Sequence, residues 1–178
     1  MTSDNDIKEN LDDSHIVMAV IPDMEYEEGL VRVAGILSKN YTKILYISIN
    51  KPYEKLVGKF EKDGVNPDKF YFIDCITKTV KDVLPIKNCT YVSSPRALDE
   101  IKTSILEVLK KQRIDVALID SPFYLSTYYE HMDVLKFMHF LTIGIINTNS
   151  KGIFPFQKEG VGSIRRSIRM FTDKTVYL

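Results

Sequence analysis

Apolar and polar positions fall into blocks that indicate strands followed by helices. Residues 16–21 form a continuous apolar run, which is typical of a parallel strand covered on both faces. Leu30, Val33, Ala34 and Leu37 then recur at helical spacing. A buried strand followed by an amphipathic helix therefore opens the ordered part of the chain.

The same order continues along the sequence. Further apolar runs predict strands at residues 43–49, 69–75, 90–93, 115–120 and 142–148, with a closing segment at 169–178. Helical patterns cover residues 53–63, 96–112 and 133–140, and the second carries an apolar stripe of Ala97, Ile101, Ile105, Leu106 and Leu109. Strands that alternate with helices predict an α/β fold with three layers, in which helices cover both faces of a mostly parallel central sheet.

Length and composition suit one domain. The chain has 178 residues and 44% hydrophobic content, enough for a sizeable core. Residues 1–14 have few side chains able to bury surface, so we expect a flexible N-terminal arm before a single α/β domain at residues 15–178. The arm has neither the basic nor the apolar region of a secretory signal, which favours a cytoplasmic protein.

Charge and cysteine usage argue against several classes of function. Basic and acidic residues number 24 each, so the neutral balance argues against nucleic-acid and anionic-membrane binding. No apolar run approaches the roughly 20 residues that span a bilayer. Cys75 and Cys89 lack the spacing of a metal-binding pair, and the three histidines have no convergent partners. We expect no metal and no cofactor.

The turn after the first strand is acidic. The segment Pro22-Asp23-Met24-Glu25-Tyr26-Glu27-Glu28-Gly29 joins strand to helix. Carboxylates in the first turn of a helix complement its dipole by roughly 0.3–1 kcal/mol each, with Asp23 as the N-cap. The alternatives are a docking surface for a basic partner and a cation site shared with Asp120, at the carboxyl edge of the sheet.

The element order resembles that of the RecA-type P-loop ATPases, in particular their KaiC-like branch. Residues 16–21 resemble the strand before the phosphate loop, and residues 43–75 resemble the following strand, helix and strand. "RIDVALIDSP" resembles the Walker B strand, which implies that Asp120 takes the magnesium-associated position and Ser121 follows it. Residues 134–152 and 169–178 resemble the later helix and strands, so the likeness spans nearly the whole chain.

Two catalytic parts of that family are missing from the sequence. A phosphate loop reads G-x-x-x-x-G-K-[ST], and neither Gly-Lys-Ser nor Gly-Lys-Thr occurs anywhere in the chain. The resemblance also implies acidic residues after residues 45–49, one of which activates water, but Asn50 and Lys51 stand there. Asparagine cannot accept that proton, and lysine carries the wrong charge for a base. We therefore expect no ATP hydrolysis.

Two further clusters suggest contact with protein. Residues 121–132, "SPFYLSTYYEHM", place Tyr124, Tyr128 and Tyr129 just after the Walker B-like strand, and aromatic residues are enriched at interface cores. Residues 163–171 carry three arginines, Arg165, Arg166 and Arg169. The tyrosines could otherwise belong to a packed loop or form an aromatic platform for a small planar ligand or a peptide, and the arginines could be solvated surface charge. An arginine cluster that meets the acidic turn of another copy would give a head-to-tail homo-oligomer.

The sequence favours a degenerate KaiC-like pseudo-ATPase that acts as a regulatory or scaffold protein. Its expected partner is a protein, either an active relative or another copy of itself. The main alternative is an ATPase that still binds nucleotide through an altered phosphate loop. A nucleic-acid role is the second alternative, against which the neutral charge balance counts. The composition, rich in lysine and isoleucine, would suit an archaeon.

Overall fold

The computed structural model describes residues 4–159 and 162–178. Its helices are α1 Asp4–Asp12, α2 Tyr26–Asn40, α3 Tyr53–Lys62, α4 Leu98–Gln112, α5 Pro122–Leu125, α6 His131–Asn147 and α7 Gly162–Ile168. Its strands are β1 Ile16–Ile21, β2 Ile44–Ser48, β3 Phe70–Asp74, β4 Cys89–Tyr91, β5 Val116–Asp120, β6 Lys151–Gln157 and β7 Lys174–Tyr177. Short 3₁₀ helices occupy Asp23–Glu25, Pro67–Lys69, Thr77–Thr79 and Arg169–Phe171.

The strands form one seven-stranded sheet in the order β4-β3-β2-β5-β6-β1-β7, and the named strands pair in parallel. Alternate residues of β1 enter different cores, with Met18 on one face and Ala19 on the other. Helices α4 and α6 cover the Met18 face, and α1, α2 and α3 cover the Ala19 face. The predicted three-layer α/β fold is confirmed.

The prediction of a flexible arm is wrong over the described residues 4–14. Helix α1 buries Ile7 and Leu11 completely, because the four-residue spacing places both on one face against the sheet layer. The Lys151 ammonium donates to the carbonyls of Leu11, Asp12 (3.3 Å) and Ser14 (3.0 Å) at the C-terminal end of this helix. A cation there satisfies carbonyls that the helix leaves unpaired. Residues 1–3 lie outside the described part.

The strand predicted at residues 142–148 is also wrong. Helix α6 continues through this segment to Asn147, and Asn149 turns the chain with a φ of 56°. A short apolar run cannot by itself distinguish a buried helix from a strand. The actual strand is β6, where Pro155 argues against a central position because it lacks an N–H group. Its pairing with β5 ends at Ile153, so Pro155 lies beyond that ladder.

None of the described helices is long and apolar enough to cross a membrane.

Candidate functional site

The connections after β2 and β5 leave the sheet in opposite directions. From β2 the chain passes through α3 to β3 on one side, and from β5 it passes through α6 to β6 on the other. The two strands are neighbours, and their last residues, Ser48 and Asp120, are paired in register. Ligand crevices of open α/β sheets lie outside the carboxyl ends of strands at such a switch point. This edge is therefore the candidate functional site.

Asp120 lies in this edge with no exposed surface. Its Oδ2 accepts a 2.8 Å hydrogen bond from the Tyr46 hydroxyl, and its Oδ1 has no hydrogen-bond partner among the described residues. Burial raises the pKa of the Asp120 carboxyl to about 6, against the opposing effects of the Lys51 charge and the Tyr46 hydrogen bond. The carboxyl group therefore titrates closer to neutrality than an exposed aspartate does.

Lys51 supplies positive charge at the end of β2. Its ammonium forms an ion pair with Glu27 of α2, and its backbone is held by Ser48, whose hydroxyl donates to the Lys51 carbonyl at 2.7 Å. The Lys51 charge is also the strongest influence that lowers the Asp120 pKa. Because Glu27 is 53% exposed, the ion pair contributes only about 0–1 kcal/mol to stability. Lys51, which stands where the resemblance implies an acidic residue, thus interacts electrostatically with the carboxylates of Glu27 and Asp120.

Two further phenol groups lie near Asp120. Tyr26 is the first residue of α2 and is 3% exposed, and its hydroxyl lies beside Ser121. Burial raises the pKa of Tyr26, and the Asp120 charge adds to this shift. Burial likewise raises the pKa of Tyr124, with Asp120 as the next cause. The carboxylate is therefore surrounded by side chains of the same chain.

The acidic turn joins β1 to α2 through a short connection. Strand β1 ends at Ile21, and only Pro22 separates it from the 3₁₀ helix that begins at Asp23. The N-cap of the 3₁₀ helix is Pro22 and that of α2 is Glu25, so the N-cap prediction for Asp23 is wrong. The Asp23 carboxylate instead accepts a 2.8 Å hydrogen bond from the backbone N–H of Glu159 and ties the turn to the segment after β6.

The remaining residues of this turn have separate positions. Glu25, Glu27 and Glu28 are exposed. Gly29 is inside α2, where a Cβ atom would lie 2.5 Å from the Cγ2 of Ile21. No L side chain tolerates that distance, so glycine here permits close packing of the helix on β1.

The predicted interface tyrosines make contacts within the chain. The Tyr129 hydroxyl donates to the Pro95 carbonyl at 3.1 Å, and the Arg96 guanidinium lies 5.4 Å from the centre of the Tyr128 ring. Tyr124, Tyr128 and Tyr129 are each partly buried against the core that includes α4 and α6. These contacts favour the packed-loop alternative and leave only part of each ring accessible.

The predicted arginine cluster divides into one structural residue and two exposed ones. Arg165 donates to the carbonyls of Gln157, at 3.4 Å, and Lys158. Arg166 and Arg169 are exposed, although the Nε of Arg166 donates to the Gly162 carbonyl at 3.1 Å. Arg165 therefore holds the segment after β6, the same segment that Asp23 reaches, so the acidic turn and the arginines lie at one edge of the sheet.

The cation alternative gains no support from the geometry. Within the described part of the chain, no group of three or more histidine, cysteine, aspartate and glutamate side chains is arranged to hold a metal ion. Asp120 itself is fully buried and accepts a hydrogen bond from Tyr46.

The sequence did not point to Tyr46 or Tyr26 as site residues. Tyr46 occurs in an apolar run that indicates only a buried strand, and Tyr26 occurs in the acidic turn at the start of a helix. The available signal was a phenol in each pattern, since a buried tyrosine hydroxyl usually finds a polar partner. Choosing Asp120 as that partner required the strand order, because Tyr46 and Asp120 are 74 residues apart in the chain.

Comparison with solved structures places the fold. The chain is similar to the flagellar accessory protein FlaH of Methanocaldococcus jannaschii, with a TM-score of 0.54 and 15% identity over 99% of this chain and 78% of that one. It is also similar to a KaiC-like protein of the hyperthermophilic archaeon Pyrococcus horikoshii, with a TM-score of 0.64 and 14% identity over 92% of this chain and 72% of that one.

The chain therefore shares the three-layer α/β fold of FlaH and of this KaiC-like protein. No protein-family model matches the sequence, and no curated protein matches it significantly. At 14–15% identity the likeness concerns the fold, and function has to be argued from the residues of the site.

Proposed function

We propose that this protein is a non-catalytic KaiC-like pseudo-ATPase that acts as a regulatory or scaffold protein. It would work through contacts with another protein, either an active relative or a second copy of itself. The observation that carries the proposal is the burial of Asp120. Asp120, the carboxylate in the Walker B-like position, has no exposed surface and accepts a hydrogen bond from Tyr46.

The acidic turn supports the same proposal. A like-charge contact near 4 Å costs on the order of 4 kcal/mol at an effective dielectric constant of about 20. Glu25, Glu27 and Glu28 are exposed around the junction where a phosphate loop would lie, and this junction contains a single residue outside helical structure. A triphosphate there would meet negative charge without the backbone amides and the lysine that ordinarily bind it.

Lys51 stands where a KaiC-like ATPase would have the residue that activates water for hydrolysis. Its ammonium is paired with Glu27, and a protonated lysine cannot accept a proton from attacking water. Neighbouring Asn50 is an amide and cannot act as a base. The chain therefore offers no group at the end of β2 that could activate water.

Nucleotide binding can be tested by thermal unfolding. We expect no change in Tm when the purified chain is heated with millimolar ATP and magnesium, because a ligand that binds only the folded state must stabilise it. A KaiC-like protein with an intact phosphate loop, measured in the same buffer, shows that the assay detects binding. A saturable increase in Tm for this chain would instead favour the ATPase with an altered phosphate loop.

Recognition between copies can be tested by sedimentation. Arg166 and Arg169 are exposed, so replacing both with glutamate leaves the structural contacts of Arg165 intact. We expect the double variant to self-associate less than the native chain at low salt, because opposite charges attract less when screened or reversed. The matched control reverses Lys110 and Lys111, which are exposed on α4. If both variants self-associate to the same extent, Arg166 and Arg169 do not mediate a contact between copies, and the expected partner is a different protein.

A further inference from the structure

A cavity lies between α2 and α3 beside the carboxyl end of β2. Its volume is about 300 Å³, at the lower end of the roughly 300–1,000 Å³ of small-molecule pockets. Apolar side chains from both helices, Leu30, Leu56 and Phe60, line it together with the Tyr46 ring. It therefore opens at the switch point between β2 and β5, on the face of the sheet that α2 and α3 cover.

The rim of this cavity is basic on the α3 side. Lys51, Lys55 and Lys59 follow one another at four-residue spacing and line the cavity, while Glu27 is its one acidic lining residue. Glu27 pairs with Lys51, and Asp63 pairs with Lys59 at 2.9 Å. Lys55 is exposed and has no ion-pair partner among the residues that the structure describes. With Lys51 and Lys59 each paired to a carboxylate, Lys55 is left as the unpaired positive charge among the described residues at the opening.

We propose that this cavity binds a small organic anion with an apolar body, such as an aryl or short alkyl carboxylate or sulfonate. The apolar part would displace water from the Leu30, Leu56 and Phe60 surface, and the anionic group would pair with Lys55 and compete with Glu27 for Lys51. The acidic turn at residues 22–29 takes no part in holding the ligand, apart from Glu27 at the rim. The site is thus independent of the proposed loss of ATP hydrolysis.

The size and chemistry of the cavity select against other ligands. A cavity of about 300 Å³ accommodates a compact aromatic molecule or a short chain, and a larger nucleotide would extend beyond it. An inorganic anion would leave the apolar lining of the cavity exposed to water. A neutral apolar molecule would leave Lys55 unpaired at the opening. A compact anion with an apolar body satisfies both parts of the lining.

Anilinonaphthalene sulfonate is a suitable fluorescent probe. We expect saturable fluorescence enhancement with the folded chain, weakened about five- to tenfold in Lys55→Glu because one favourable charge contact becomes unfavourable. Val31→Trp, on the half-buried wall of the cavity, should abolish the enhancement by filling it. Lys55 is exposed, so its variant keeps the test valid if Val31→Trp fails to fold. Near-UV circular dichroism confirms native packing, since the dye also binds loosely packed states.

A second apolar cavity provides the matched control. It has a volume of about 340 Å³ and lies between α4 and α6, lined by Leu106, Phe140 and Ile143. Ile143→Glu should leave dye binding unchanged. Naphthalene sulfonate should compete with the dye, whereas neutral naphthol should compete poorly. Loss of binding in Ile143→Glu, unchanged binding in Lys55→Glu, or equal competition by naphthol would each overturn the proposal.

Discussion

The hydroxyl of Tyr46 donates a 2.8 Å hydrogen bond to Oδ2 of Asp120 across two neighbouring parallel strands. The Asp120 carboxylate is fully buried, and its other oxygen has no hydrogen-bond partner among the described residues. An isolated buried charge is unfavourable, so the group shifts its pKa upward. The titration of Asp120 therefore contributes to how the stability of the protein depends on pH.

Stability should fall as pH rises through the titration of Asp120. The carboxyl has a pKa of about 6 in the folded protein and 3.8 as its ordinary value, so the folded state binds the proton more tightly. Its contribution is fully present below about pH 4 and is lost as pH rises to about 6, with an upper limit of about 3 kcal/mol. Denaturant unfolding at a series of pH values measures this decrease in the free energy of unfolding.

Asp120→Asn provides the control for that profile. The amide has nearly the same shape and does not titrate, so the decrease between about pH 4 and 6 should disappear while other groups continue to titrate. Persistence of the full decrease in Asp120→Asn would assign it to another carboxylate.

Tyr46→Phe should destabilise the protein more at neutral pH than in acid. Hydrogen bonds to charged groups contribute about 1.5–3 kcal/mol, and neutral ones about 0.5–1.5 kcal/mol. The bond to Asp120 is of the first kind only when the carboxyl is ionised. Tyr71→Phe is a suitable comparison, because the Tyr71 hydroxyl bonds to the neutral Thr90 hydroxyl at 3.0 Å. If the loss of stability in Tyr46→Phe is independent of pH, this would argue against an ionised Asp120 at neutral pH.

Gly29→Ala and Gly58→Ala should change stability in opposite directions. A methyl group at Gly29 would lie 2.5 Å from Cγ2 of the buried Ile21, so α2 must shift, at a cost of about 1–3 kcal/mol. No atom lies within 4 Å of a Cβ at Gly58 in α3, and alanine there should stabilise by up to about 1 kcal/mol. Paired urea titrations measure both. If both substitutions changed the free energy of unfolding equally, α2 would pack more loosely on β1 than the structure indicates.

Leu11→Ala should be costly although it lies close to the N-terminus. Its side chain is fully buried, and removal of a buried leucine costs about 2–5 kcal/mol. Glu9→Ala, at an exposed position of the same helix, should change the free energy of unfolding by less than about 0.5 kcal/mol. Similar small effects for both would show that α1 does not dock in solution.

Much of the fold could be predicted from local patterns. Runs such as Ile16–Ile21 are too apolar to be anything other than buried, and the spacing of Leu30 to Leu37 permits only a helix with one buried face. Two predictions failed where local pattern is ambiguous. The apolar run before Asn147 fits either a helix or a strand, and two buried residues, Ile7 and Leu11, were too few to reveal a docked helix.

The sequence by itself determined the α/β class, the absence of a phosphate-loop motif and the position of Asp120 at a strand end, because each depends on residues close together in the chain. Only the tertiary structure decided that Tyr46 bonds to Asp120, that Lys51 pairs with Glu27 and that a cavity lies between α2 and α3. These relationships join residues distant in sequence, and strand order and helix packing alone set which of them meet.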